Sequence, residues 1–297
     1  MLSPCMARSV SIVGAGRLGR TLGRCLRRLG WRIGPVVTRS AATARAAVRA
    51  IGAGRRYSTL TREVMDADVI LLVTPDDALA AVAQKLASLA GRTCRGKIVL
   101  HASGALDSSI LRPLARCGAA IGSIHPMQTF TNRSQPNLQG VIFAVEGDPR
   151  ALRAAATIAR TLGGVPVTVA GRHKPAYHAA GTLVAGHALA LTEAASQVLV
   201  KIGFTRRHAA QTLLPLMRQM LDNFEKHGAQ AAWTGPTARG DYATVRKHQK
   251  ALRQLPPEFG DSYAALVRLS ARVLAKNPAS KLKQLDRGLK NSRRNPH

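Results

Sequence analysis

Six residues, Gly14-Ala15-Gly16-Arg17-Leu18-Gly19, join a short β-branched run, Ser9 to Gly14, to a stretch with helical spacing of apolar residues, Arg20 to Leu29. A strand that turns through glycines at this spacing into a helix constrains the fold more than any other feature of the chain. Gly14 permits the tight turn, Gly16 lets the backbone approach a pyrophosphate, and Gly19 lets helix and strand pack closely. The first N–H groups of the helix, around Arg17 and Leu18, would point at the phosphates. A dinucleotide is the ligand that this context implies, and a glycine turn with no ligand is the bland alternative.

Strand-like runs recur at Trp31–Thr38, Ala67–Thr74, Lys97–His101, Ala119–His125, Val141–Val145 and Val165–Val169, with helical stretches between them. That alternation predicts an α/β protein with a parallel, doubly wound sheet. From Lys174 onward the chain reads instead as amphipathic helices, over 175–201, 205–227, 241–253 and 259–275, broken at Gly203, Gly235-Pro236 and Pro256-Pro257. With 297 residues, two domains are expected. They are placed at 8–170 and 171–280, followed by a basic tail, 281–297, that reads as frayed or disordered.

The formal net charge is +29 and the pI about 11.6. Such a charge belongs either to a polyanion binder or to a solvated basic surface. Aromatic residues make up only 4% of the chain, which argues against base stacking. The arginines are spread rather than clustered, so a specific nucleic-acid partner is not expected. Cys5, Cys25, Cys94 and Cys117 form no CxxC pair, so neither a disulfide framework nor a metal site is expected, and a reducing compartment is. The longest apolar stretch, Ala179 to Leu191, falls short of the ~20 residues a bilayer span needs. With no signal-peptide pattern, a soluble cytoplasmic protein is expected.

The end of the second strand discriminates between cofactors. An NAD site places a carboxylate there for the ribose hydroxyls. Here stand Thr38-Arg39-Ser40, and no acidic residue precedes Glu63. Arg39 would pair with a 2′-phosphate, helped by the hydroxyls of Thr38 and Ser40, so NADP (NADPH) is expected over NAD. The bland reading makes Arg39 one of 13 arginines in residues 1–62. Ligands of open α/β sheets bind beyond the carboxyl ends of the strands. Those ends supply Thr74 and Pro75, then His101, Ser103 and Gly104, then His125. Thr74, Pro75, Ser103 and Gly104 are read as cofactor contacts, His101 as a substrate contact, and His125 as a catalytic candidate.

Lys174 and His178 stand i, i+4 at the start of the first long helix and share a face. A buried lysine of lowered pKa is a fit proton donor, and His178 would bind the same substrate atom. The alternative is an exposed lysine and a core histidine. In Thr234-Gly235-Pro236-Thr237-Ala238-Arg239-Gly240-Asp241, Arg239 would clamp a substrate carboxylate and Asp241 would contribute to that site or cap the next helix, unless the loop is a plain connector.

The motifs GAGRLG, HASGAL, HPMQTF, KPAYHAAGTLVAGH and TGPTARGDYATVRKH together resemble the Rossmann-like proteins with the C-terminal domain of unknown function 2520, over residues 8–275. Such proteins are described as NADP-dependent oxidoreductases. In the cofactor domain they are similar to coenzyme F420-dependent NADP oxidoreductases. More distantly they look like ketopantoate reductase, pyrroline-5-carboxylate reductase and the β-hydroxyacid dehydrogenases. The resemblance implies a Rossmann domain followed by an all-α domain of the 6-phosphogluconate dehydrogenase C-terminal type, often a homodimer. It also implies that Lys174 matches the acid/base lysine of a K-x-x-x-N helix. His178 occupies the asparagine slot of that helix, and His187 stands where relatives have an asparagine. The leading expectation is an NADP(H)-dependent oxidoreductase acting on a small, anionic C=O or C=N substrate, dimeric through apolar helix faces such as Leu189, Leu191, Val198 and Leu199. The alternatives are a non-enzymatic NADP sensor and a basic nucleic-acid-associated protein.

Overall fold

The computed structural model describes residues 8–131 and 136–290. Cys5 and the end of the basic tail, 291–297, lie outside the described residues. The chain forms two compact units, one ending at His187 and one beginning at Ala188.

The first unit is built on eight strands: β1 (Ser9–Val13), β2 (Arg32–Val37), β3 (Arg55–Tyr57), β4 (Val69–Leu72), β5 (Ile98–His101), β6 (Ala120–Pro126), β7 (Ile142–Gly147) and β8 (Val165–Thr168). Its helices are α1 (Arg17–Arg28), α2 (Ala41–Ile51), α3 (Asp76–Ala90), α4 (Arg112–Arg116), α5 (Pro149–Thr161) and α6 (Lys174–Thr182). The strands form one sheet in the order β3-β2-β1-β4-β5-β6-β7-β8. Strand order reverses between β1 and β4, which opens a crevice at the carboxyl ends of those strands.

Every residue of β1 and β4 is buried. Period-two alternation sends their side chains to opposite faces. Val10, Ile12, Val69 and Leu71 join a core with Leu22 and Leu26 of α1 and Ile158 of α5. Val13, Ile70 and Leu72 join a second core with Leu79, Ala83 and Leu86 of α3. Helices therefore cover both faces, as a buried parallel sheet requires.

Two features depart from the sequence expectation. The three-residue edge strand β3 is Arg-Arg-Tyr and carries no apolar run to mark it. The pairing of β7 with β6 is antiparallel, so the sheet is mostly rather than wholly parallel. The connection from β6 to β7 contains no crossover helix among the described residues. Instead Met127 N–H donates to Ile142 O at 2.8 Å and the chain doubles back.

The strand registers set Val13, Leu72, His101, Ser123 and Glu146 side by side across the sheet. The residues just beyond Val13, Leu72 and His101 therefore lie at the ligand edge. The helix α6 belongs to the sheet-bearing unit. The division after His187 thus falls later than the boundary expected at residue 170.

The second unit comprises α7 (Ala188–Lys201), α8 (Arg206–Ala232), α9 (Pro236–Arg239), α10 (Tyr242–Leu252), α11 (Pro257–Val273) and α12 (Pro278–Lys290). Gly228, at φ 76°, breaks α8 near the end expected for that helix. Val245, Val267, Ala271 and Leu285 form its buried core. The segment 281–290, expected to be disordered, is therefore helical. Its apolar stripe Leu282, Leu285, Leu289 sits among basic residues that mask it in composition, and Leu285 is wholly buried.

The helical run Gly171–Lys201 is long enough to cross a membrane and contains an 18-residue window of mean hydropathy 1.4. The stretch Ala179 to Leu191 falls short of a span because Lys174 and His178 precede it and Thr192-Glu193 follow it.

Candidate functional site

The glycine loop has the geometry its spacing demands. Gly14 has φ 89°, and a Cβ there would fall 2.6 Å from Thr74 N, at the end of β4. A Cβ on Gly19 would fall 2.9 Å from Gly14 O, so helix and loop touch backbone to backbone. At Gly16 nothing lies within 4 Å of that position, and the backbone faces open space. Gly16 is the N-cap of α1, with no side-chain cap and no acidic residue in the first turn. Arg17 is exposed and Leu18 half-buried. The first N–H groups of α1 thus remain free for an anion.

At the end of β2, Ser40 Oγ accepts Thr43 N–H at 3.2 Å and caps α2. Thr38 Oγ1 shares a hydrogen bond with Thr43 Oγ1 at 2.7 Å. Both hydroxyls expected to help a phosphate are engaged locally. Arg39 is exposed, and its guanidinium makes no hydrogen bond or ion pair with the described residues. The residues present fit an NADP cofactor: open backbone at Gly16, an uncapped helix start and a free guanidinium where NAD would need a carboxylate.

The ends of β4, β5 and β6 converge with α6. Pro75 is exposed, and Thr74 Oγ1 is buried with no hydrogen-bond partner among the described residues. His101 is fully buried. Its Nδ1 accepts Ser103 N–H at 3.2 Å, which places the neutral ring's proton on Nε2, an atom with no partner among the described residues. Burial, reinforced by the Lys174 charge, pushes His101 down to about 3. Ser103 Oγ donates to Asp76 Oδ2 at 2.8 Å and accepts the N–H groups of Ala105 and Leu106. Its hydroxyl is spent within the protein.

Three rings gather beside Gly104. His125 meets Tyr177 and His178 edge to face, at centroid distances of 5.6 and 5.4 Å. Tyr177 OH lies 3.4 Å from His125 Nδ1. A Cβ on Gly104 would fall 2.5 Å from His178 Nδ1 and 2.8 Å from His125 Nε2. Burial, with smaller contributions from His178 and Lys174, pushes His125 down to about 4. Burial raises Tyr177 above its ordinary value, so its phenol keeps its proton.

Lys174 has no exposed surface. Its Nζ donates to Ser103 O at 2.9 Å and Ser123 Oγ at 2.6 Å. Burial pushes its amine down to about 8, against the pull of Glu146, Asp107 and Asp76.

The structure thus brings together His125, His178, Gly104, Ser103, His101 and Lys174. Arg239 and Asp241 belong to the second unit. There Asp241 Oδ1 accepts Thr244 N–H at 3.0 Å and caps α10, while Arg239 is exposed. Tyr177 and Ser123 escaped the sequence reading. Both carried a signal: Tyr177 stands three residues after Lys174 on a helix, and Ser123 two before His125 on a strand, which in each case is the same face.

Two family models match the chain: a Rossmann-like domain at residues 4–126 and the domain of unknown function 2520 at residues 141–269. Among curated proteins none matches. Solved structures share the fold. The protein BF3122 of Bacteroides fragilis, named as a candidate NADP oxidoreductase, is similar at 20% identity and TM-score 0.74, over 88% of this chain and 96% of that one. The protein TM1727 of Thermotoga maritima is 24% identical with TM-score 0.65, over 96% of this chain and 100% of its own. A reductive aminase of Aspergillus terreus, solved with NADPH and ethyl-5-oxohexanoate, is 16% identical with TM-score 0.64, over 94% and 99% of the two chains.

Proposed function

This chain is a Rossmann-like protein carrying the domain of unknown function 2520, and from that premise we propose that it is an NADP(H)-dependent oxidoreductase acting on a small, anionic substrate with a C=O or C=N bond. The observation that carries the reading is the exposed, unpaired guanidinium of Arg39 just past the end of β2, the strand that pairs with β1 ahead of the open, uncapped glycine loop. Reductases among the fold relatives, one solved with NADPH, support it.

A bound nicotinamide would supply or take the hydride. The chain does the rest at the ligand edge. Gly16 and the start of α1 would bind the pyrophosphate and Arg39 the 2′-phosphate, with Thr74 and Pro75 lining the sugar side. Gly104, without a side chain, lets the half-buried His125 and the exposed His178 stand next to each other. Reduction of C=O or C=N needs one proton besides the hydride. Tyr177 holds one on its oxygen, against a neutral His125, and His178 is exposed to exchange with water. We assign proton delivery to this ring cluster. Lys174, which the sequence marks for that role, lies behind it without a surface of its own.

The second unit presents Leu189, Ile202 and Leu216 to solvent, each 67–70% exposed. Large uncovered apolar side chains on neighbouring helices mark an interface, and a second copy of the chain is the proposed cover.

Fluorescence titration with NADPH and NADH tests the cofactor assignment. A charge-assisted hydrogen bond is worth ~1.5–3 kcal/mol. Arg39→Asp therefore weakens NADPH by roughly tenfold to a hundredfold and leaves NADH nearly unchanged. Equal weakening of both, or a wild-type protein that retains neither nucleotide, removes the proposal. Tight NADPH binding with no turnover on any carbonyl or imine assigns the protein as a sensor instead.

A further inference from the structure

We infer that Lys174 is a positioning residue: its side chain ties the end of β5 to β6 and so fixes where Gly104, His125 and His178 meet. The inference rests on the reading of those rings as the reacting face. The bonds to Ser103 O and Ser123 Oγ leave the lysine no exposed surface. Ser103 is held from its other side by Asp76, at the start of α3. One run of hydrogen bonds, Asp76–Ser103–Lys174–Ser123, thus crosses the ends of three adjacent strands, β4, β5 and β6. Ser103 immediately precedes Gly104, whose backbone is packed so closely on the two histidines that even a methyl group would not fit. Close packing of this kind transmits small shifts rather than absorbing them. Ser123 stands two residues before His125, on the same side of β6, so the second bond fixes the other half of the contact.

A proton donor must come within hydrogen-bond reach of the reacting atom. Lys174 would have to break both bonds and leave the interior to do so. It has no ion pair among the described residues. Glu146, Asp107 and Asp76 act on it only at longer range. Its positive charge stands behind His101 and His125 and disfavours a proton on either. Asp107 works the other way on His101, and His178 adds to the effect on His125.

Two variants of the full chain test this without substrate or nucleotide. Lys174→Met keeps the bulk and removes charge and donors; Ser123→Ala removes one acceptor and keeps the charge. NMR titration of the imidazole C–H signals and amide exchange at Gly104 are read in each. Lys174→Met moves the His101 and His125 titrations upward, a response that a purely steric tie would not give. Ser123→Ala speeds Gly104 exchange about tenfold or more, as expected when a local tie is lost. Unchanged titrations in a folded Lys174→Met protein overturn the inference, as does unchanged Gly104 exchange in Ser123→Ala. Should Lys174→Met not fold, the serine variant decides alone. Because neither measurement involves NADPH, failure here and failure of the Arg39 titration are separate results.

Discussion

Gly14 and Gly16 are two residues apart and have different duties. Gly14 combines a left-handed backbone with contact against the β4 chain, so any side chain there strains the fold. Gly16 has an ordinary φ of −73° and open space where a Cβ would go. Gly14→Ala is expected to cost ~2–4 kcal/mol, from a strained backbone and a steric clash together. Gly16→Ala is expected to change stability by no more than ~0.5 kcal/mol yet to weaken NADPH binding, because on the proposed reading a methyl group there would meet the pyrophosphate. Thermal unfolding and fluorescence titration of both variants separate the two effects. Equal destabilisation by both would show that Gly16 serves the fold rather than a ligand.

At the scale of elements, α12 shows where composition misleads. Lys281, Lys283, Arg287 and Lys290 suggest a solvated tail, yet every third or fourth residue is leucine and one of them closes the core of the second unit. Leu285→Ala is expected to cost ~2–4 kcal/mol, the range for a buried leucine, measured by urea unfolding; a frayed tail would give a change near zero. The sheet was far more legible. Seven of its eight strands announce themselves as β-branched or apolar runs: the central strands because both faces are buried, and β8 although most of its residues are exposed. The edge strand β3 needed no such run. The direction of β7 was hidden because pairing sense depends on the path of the connection, which strand composition does not record. In the site, the close approaches at Gly14 and Gly19 were legible because each answers a local demand. That Lys174 reaches inward to Ser103 and Ser123 depends on how α6 lies on the sheet, a tertiary fact that i, i+4 spacing leaves open.

For the molecule as a whole, the exposed leucines of α7 and α8 and the net charge of +29 pull in opposite directions. Apolar burial favours association, and like charge opposes it at long range. Sedimentation of the wild-type protein is expected to give twice the chain mass of 31.6 kDa, with the dimer strengthened as salt screens the repulsion. A joint Leu189→Asp and Leu216→Asp variant sediments as a monomer. A wild-type monomer that binds anionic lipid vesicles would assign the apolar face to a membrane instead.

The antiparallel junction of β6 and β7 has a consequence for descent. The residues flanking the turn, Met127 and Ile142, hold each other by a backbone hydrogen bond. Phe130 packs on the first core and Leu138 is buried in it, so lengthening the chain between those two anchors costs little more than closure entropy, ~0.6 kcal/mol for each doubling. Related lineages can retool what the histidine edge admits by inserting or trimming there, while inheriting the scaffold beneath it intact.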